Sequence, residues 1–419
     1  MKLSNKYFFP LVIIAFAFFI IGFGVGINGI MVPILEETFS LSKGMSYLVL
    51  TATFSAFLIF GGPSGWVIKK IGYKKSLILA LFIMSLGMFL FIPSAKISPS
   101  MSGFYLFLIA SFIGGIGNTL LQTTINPYVT ICGPIEKAAQ RLCCMGIMNQ
   151  SAWFLGPIFL SLFIDVKNPV LANAAIPFGM AAAIIALFAL AMIFISLPEI
   201  TAEGEDELSE NKSEDEIIIA ANRKKSIWQF PHLLLGALAL FLYVGVETLP
   251  MASVIDFAKS IGSDSPARYS MIGPVGMIIG YIISIFILQW LPQNKALALF
   301  ATIALVSSIL LITLPSHIAI YFLSGLGFSH SIMWGCLWGL TIAGLGKYTK
   351  SGASMLVVAL VGGAAIPLVF GFLLDFIKTS DIASPTNFQT AYRIFIPCYL
   401  YILFYALIGY KIGRKAPKV

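Results

Sequence analysis

The sequence predicts an all-α membrane protein of twelve transmembrane helices in two pseudo-symmetric six-helix halves. Three observations carry that prediction: a composition water cannot cover, twelve apolar stretches of spanning length, and one acidic stretch that divides six from six. Of 419 residues, 58% are hydrophobic and 11% charged, with a mean hydropathy of +0.94. Soluble domains carry about a quarter charged residues, so the solvent for most of this surface is lipid.

A span needs roughly 20 apolar residues. Such stretches cover about 8–34, 45–68, 76–95, 103–131, 142–164, 171–197, 228–257, 268–291, 296–314, 318–345, 353–377 and 388–412. The first follows a short MKLSNK lead, exceeds a signal-peptide core and shows no small-residue cleavage site. It therefore reads as a retained helix. Between the sixth and seventh stretches, ITAEGEDELSENKSEDE (200–216) is acidic and aperiodic, which suits a linker. The following IIIAANRKKSIWQF is basic and aromatic; it either lies on the membrane surface or is a plain solvated anchor. The expected domains are a six-helix bundle over 1–197, a linker over 198–227 and a second six-helix bundle over 228–419.

Basic residues give the orientation. With the amino terminus inside, only Lys43, Lys96, Lys167, Lys259, Arg268, Lys378 and Arg393 of the 26 Lys and Arg face outside. The positive-inside rule then places both termini in the cytoplasm, for an integral protein of the cytoplasmic (inner) membrane. The net charge of +8 follows from that bias and calls for no nucleic-acid partner. Cys132, Cys143, Cys144, Cys336 and Cys398 lie in or beside spans without CxxC or zinc spacing. They read as small packing residues, and no structural metal is expected. No GxGxxG after a strand, Walker loop, HExxH or GxSxG occurs, so neither an enzyme nor ATP-driven pumping within this chain is expected.

The halves also align with each other. GNTLLQTTINPYVTICGP (117–134) falls over the stretch beginning at Phe328, and MGIMNQSAWFLGP (145–157) over MLVVALVGGAAIP (355–367). The basic turns YKKSLILALF (73–82) and NKALALF (294–300) correspond as well. Parallel six-span halves are the mark of the major facilitator fold. In the loop after the second span, GWVIKKIGYKK resembles the facilitator motif G-x-x-x-D-R-x-G-R-R. Gly65, Lys70, Gly72 and Lys74 match it, while Lys69 stands where an acid is expected. The loop reads as a gating loop whose cations cap helix ends, or as topogenic lysines alone.

Polar groups inside spans are where function is expected, since they face a bundle interior or an aqueous cavity. Asn28 sits among Gly22, Gly24, Gly26 and Gly29, which permit close helix approach and local unwinding. Gln122 and Asn126 are four apart on the fourth span, with Asn118 one turn earlier, and Pro127 frees a carbonyl near Thr123. On the fifth, Asn149 and Gln150 precede Trp153. Amides bond hydroxyls in both directions and an indole covers the C–H face of a sugar ring; the alternative is helix packing through amides. On the tenth, His330, Trp334 and Trp338 follow at four-residue steps, as an aromatic wall. Glu247, on the seventh, is the one carboxylate placed well inside a span, with Pro250 just after it suggesting a broken helix. It suits a proton or sodium site, a sugar hydroxyl acceptor, or a structural hydrogen bond.

These stretches together resemble the fucose–galactose–glucose:proton symporter family, a branch of the major facilitator superfamily, and most of all its glucose/galactose transporters. The resemblance rests on NGIMVP, LLQTTINPYVTICGPIEKAAQRL with Asn149 after it, YVGVET, and SIMWGCLWGLTIAGLGKYTKSGASMLVVALVGGAAIPLVFG. It implies secondary active import of a hexose by alternating access. Asn28, Gln122, Asn126 and Asn149 would bind hydroxyls, with Trp153, His330, Trp334 and Trp338 as the aromatic surface. No cofactor is implied beyond H+ or Na+ as coupling ion, and a monomer is expected. Fucose-transporting members carry an aspartate at the position of Gly29 and a glutamate at that of Gln122. Their proton-linked carboxylates are thus absent here, while their cavity asparagine matches Asn149. Three alternatives follow: Glu247 takes the proton, sodium drives uptake, or transport is facilitative. A carrier of a non-sugar solute and a non-transporting nutrient sensor are the further alternatives.

Overall fold

The computed structural model describes residues 5–134, 137–164, 170–195, 197–198, 216–378 and 383–414, with side chains throughout except at 5–7, 28–30, 43 and 216–218. Ten helical stretches among them are long and apolar enough to cross a membrane. One of these, Leu48–Lys96, runs 49 residues, about 70 Å of helix at 1.5 Å per residue against a hydrocarbon core of about 30 Å. It is two spans joined at Gly72, whose φ of 81° lies in the region that only glycine adopts without strain. A further span consists of two pieces that are each too short alone, which completes twelve.

In chain order these are α1 (Asn5–Phe39), α2 (48–71), α3 (73–96), α4 (Met101–Ile131), α5 (Ala138–Ser161) and α6 (Ala175–Phe194). The second half comprises α7 (Pro231–Ser260), α8 (Tyr269–Trp290) and α9 (Gln293–Thr313). Next come α10 in two pieces (Ser316–His330, Met333–Ile342), α11 in two pieces (Thr349–Ala359, Gly362–Ile377), and α12 (Pro385–Ala391 continuing through a 3-10 turn to Phe395–Leu407). Sequence and structure agree on every span to within a few residues. They differ on where helices break. Pro250 does not interrupt α7, and the first helix runs unbroken past its glycines. The interruptions fall instead at 331–332 and 360–361.

An even number of spans puts the two ends of the described chain, at residues 5 and 414, on one face of the bundle, called here the terminal face. Side chains such as Phe194, Phe376 and Trp290, each more than four-fifths exposed, form the outward surface that lipid would cover. The halves meet on both faces. Toward the terminal face a Cβ on Gly65 would collide with Ser354 of α11, and Gln140 Nε2 donates to the Ile285 carbonyl of α8 at 3.1 Å. At the opposite face, the Gly44 amide donates to Asp375 Oδ2 at 2.9 Å. In the loop read as a gate, Lys70 Nζ lies 4.9 Å from the Trp66 ring centre, and Lys74 Nζ donates to the Ile193 carbonyl at 2.9 Å.

Candidate functional site

A cavity of about 90 Å³ lies between the halves, lined from α1, α2, α4, α5, α7, α8, α10 and the α11 break. Two α1 glycines set its depth on one side. A Cβ on Gly22 would strike the Asn149 carbonyl, and one on Gly26 would lie 2.9 Å from Trp153 Cα. Because neither glycine has one, the α5 backbone seats against α1 and carries Asn149 and Trp153 into the cavity wall.

Four amides converge there: Asn118 and Gln122 from α4, Asn149 and Gln150 from α5. Gln122 Nε2 donates to Asn118 Oδ1 at 3.1 Å, Asn149 Nδ2 to the Phe18 carbonyl at 3.1 Å, and Gln150 Nε2 to Asn149 Oδ1 at 3.3 Å. These bonds hold the amides in fixed orientations. Gln150 Oε1 is buried with no partner, an acceptor left to a solute or water. From the other half come Glu247, Tyr281 and Trp334. Glu247 is the sole charged group among the described residues lining the cavity, and its Oε1 accepts from the Tyr243 hydroxyl at 2.8 Å. The Tyr281 ring presses on Gly146, where a Cβ would overlap it.

Sequence reasoning placed Gln122, Asn149, Trp153, Trp334 and Glu247 where the structure puts them, on this cavity. It misplaced three. Asn126 is fully buried off the cavity, with neither Oδ1 nor Nδ2 partnered. Each four-residue step turns the helix by about 40° and descends about 6 Å, so the wall formed by Asn118 and Gln122 has passed before Asn126. Trp338 is fully buried behind Trp334, their ring centres 5.6 Å apart. His330 is enclosed, with Nε2 2.6 Å from the Tyr399 hydroxyl. The helix break at 331–332 separates it from the face of Trp334. The side chain of Asn28 lies outside the described residues. Asn118 and Gln150, named from the sequence beside Gln122 and Asn149 but not among the expected binding residues, also line the cavity, as does Tyr281, which was not named. The four-residue step from Gln122 back to Asn118 was a signal, as was the adjacency of Gln150 to Asn149; Tyr281 stands in an apolar helix and had none.

The sites read as packing cysteines are four buried thiols and one half-buried, all unpaired. No group of three or more metal-ligating His, Cys, Asp or Glu occurs among the described residues. The arrangement of amides, indoles and one carboxylate can hold a small, uncharged, hydroxyl-rich solute, and it presents no nucleophile–base pair.

Comparison with known proteins places the chain. The Major Facilitator Superfamily profile matches residues 14–370. The chain is 32% identical over 418 residues to a glucose/galactose transporter of Brucella abortus, covering 97% of this chain and 96% of that one. It is 26% identical over 428 residues to the L-fucose-proton symporter of Escherichia coli, covering 96% and 93%. Its fold matches the crystal structure of the transporter FucP in the outward conformation with a TM-score of 0.73, at 24% identity over 97% of this chain and 99% of that one. These relatives are transporters, not enzymes. The chain belongs to the Major Facilitator Superfamily, on the branch that holds the glucose/galactose transporters.

Proposed function

We propose that this protein imports a hexose across the cytoplasmic membrane by alternating access, as a monomer with both termini inside, coupled to a proton or a sodium ion at Glu247. The observation that carries the reading is the convergence of four amides, two indoles and a single carboxylate on one cavity. Amides give and accept hydrogen bonds at once, which matches a ring of hydroxyls. Trp153 and Trp334 supply flat apolar surface for its C–H face. The names of the relatives, a glucose/galactose transporter and an L-fucose-proton symporter, support the same substrate class.

Coupling is assigned to Glu247 because the neutral Gln122 cannot take up a proton and Glu247 is the cavity's one charged group among the described residues. Uptake of radiolabelled hexoses into proteoliposomes under imposed proton or sodium gradients tests the reading. The expected result is accumulation above the outside concentration with one gradient and not the other. Equilibration without accumulation under either gradient makes the protein a uniporter. No competition from any hexose removes the sugar assignment.

A further inference from the structure

Glu247 borders two cavities. Besides the central one, it lines a narrow pocket of about 10 Å³ between α7, α8 and α10. That pocket runs outward past Pro250, Gly273 and Ser324 to Tyr269 and Ser270. The 3-10 turn Pro266–Arg268 directly precedes these two residues, and it lines a vestibule of about 870 Å³. The vestibule lies on the face opposite the termini, which the proposed function takes as outside.

We propose that this pocket is a proton entry route to Glu247, separate from the path of the solute and open from the outer vestibule. Its width sets what can pass. About 10 Å³ is the least that admits one water, which also needs two to four polar partners. The pocket's polar lining residues include Glu247, His330, Ser324 and Ser270. Ser324 Oγ donates to the Ile320 carbonyl at 3.0 Å and Ser270 Oγ to the Ala267 carbonyl at 2.7 Å. Each hydroxyl has thus spent its proton, and its oxygen remains an acceptor, the complement of a hydronium ion, which only donates. A hexose has no room. A hard cation such as sodium, which keeps several oxygen ligands around it, has none either.

The walls hold that width. A Cβ on Gly327 of α10 would fall onto the Gly273 backbone of α8, so the two helices touch beside the pocket. On this route the proton moves from outer water along the pocket onto the Glu247 carboxylate, and leaves to the central cavity when that opens toward the terminal face. The inference rests on Glu247 as the coupling group and selects the proton as its ion.

The test is Gly273→Ala. A methyl there would sit 3.6 Å from the Ser324 carbonyl oxygen and 3.8 Å from the Met251 methyl, ordinary contacts that keep the fold, and it takes the space of the water. Ser324→Leu is the second variant. Proteoliposomes are assayed for hexose exchange without a gradient and for accumulation driven by an imposed proton gradient. The expected result is exchange within about twofold of the parent and driven uptake lowered at least about tenfold. Driven uptake within about twofold of the parent in both variants overturns the route. Equal loss of exchange and driven uptake in both also overturns it, since the pocket then serves packing alone. Glu247→Gln separates this failure from that of the proposed function. If Glu247→Gln accumulates hexose as the parent does, the coupling role falls and takes the route with it. If Glu247→Gln loses accumulation while both pocket variants keep it, the route alone falls.

Discussion

Helices α4 and α10 occupy corresponding places in the two halves, yet they satisfy their polar groups in different proportions from within and from neighbours. In α4 the hydroxyls of Thr119, Thr123 and Thr124 each donate to a carbonyl four residues back at 2.7 Å, and Gln122 bonds Asn118 on the same helix. Its end is sealed by Arg141, buried on α5, whose guanidinium donates to the carbonyls of Val129, Thr130, Gly133 and Pro134 at 2.7–3.3 Å. In α10 the serines Ser324 and Ser331 also bond their own helix, but its other bonds run to neighbouring elements. The His330 ring meets Tyr399 of α12 at 2.6 Å, and its carbonyl accepts from Tyr243 of α7 at 3.2 Å. Arg414 from the chain end donates to Ala343 at 2.9 Å, and burial pushes that guanidinium below its ordinary value. The difference teaches where motion is possible. A helix that satisfies itself travels as one body. A helix satisfied by its neighbours changes partners when it shifts, and α10 carries its break at the point where those partners meet.

The largest expected effect separates the two caps. Arg141→Ala strands two buried carbonyls, those of Val129 and Thr130, and removes the bonds to Gly133 and Pro134. It should cost about 3 kcal/mol or more, read as a large drop in thermal stability in detergent. Arg414→Ala, which loses one such bond, should cost about 1–2 kcal/mol; an equal loss in both variants would erase the contrast. Next, Gln122→Ala should raise the KM for hexose uptake about tenfold or more, whereas Asn126→Ala should leave it within about twofold. The reverse order would mean that the working wall of α4 is the deeper one.

A smaller effect is expected across the α7–α10 contact. The Tyr243 hydroxyl lies between Glu247 and the His330 carbonyl, at 2.8 and 3.2 Å. Tyr243→Phe removes both contacts and keeps the ring. Its maximal uptake rate should fall about three- to tenfold with little change in KM; a change in KM alone would make Tyr243 a binding residue. The smallest effect belongs to Lys70→Gln, which loses an exposed cation–π contact worth about 0.5–1 kcal/mol and should barely move stability or uptake.

Most of the fold was legible because spanning length and hydropathy are strong one-dimensional signals. The break in α10 was not: Ser331 and Ile332 are neither glycine nor proline. The turn is shaped from outside, where α8 presses in at Gly280, whose Cβ would collide with Ser331. Pro127 and Pro250 pointed the other way, yet both sit inside continuous helices. Neighbouring helices and side chains can re-satisfy the backbone a proline frees. At the site, spacing gave the face of a helix and not the depth along it. Gln122 and Trp334 stand on the cavity, while Asn126 and Trp338, one turn further on, stand off it. Tyr281 depends on a partner in the other half, a relation no local pattern encodes.

That partner has an evolutionary consequence. With Tyr281 flat against Gly146, a side chain cannot be gained at one position unless the ring at the other moves or shrinks. The two residues lie 135 positions apart in sequence, one in each half, and they must drift as a pair. A chimera joining the amino-terminal half of this protein to the carboxy-terminal half of a relative would inherit the mismatch there first.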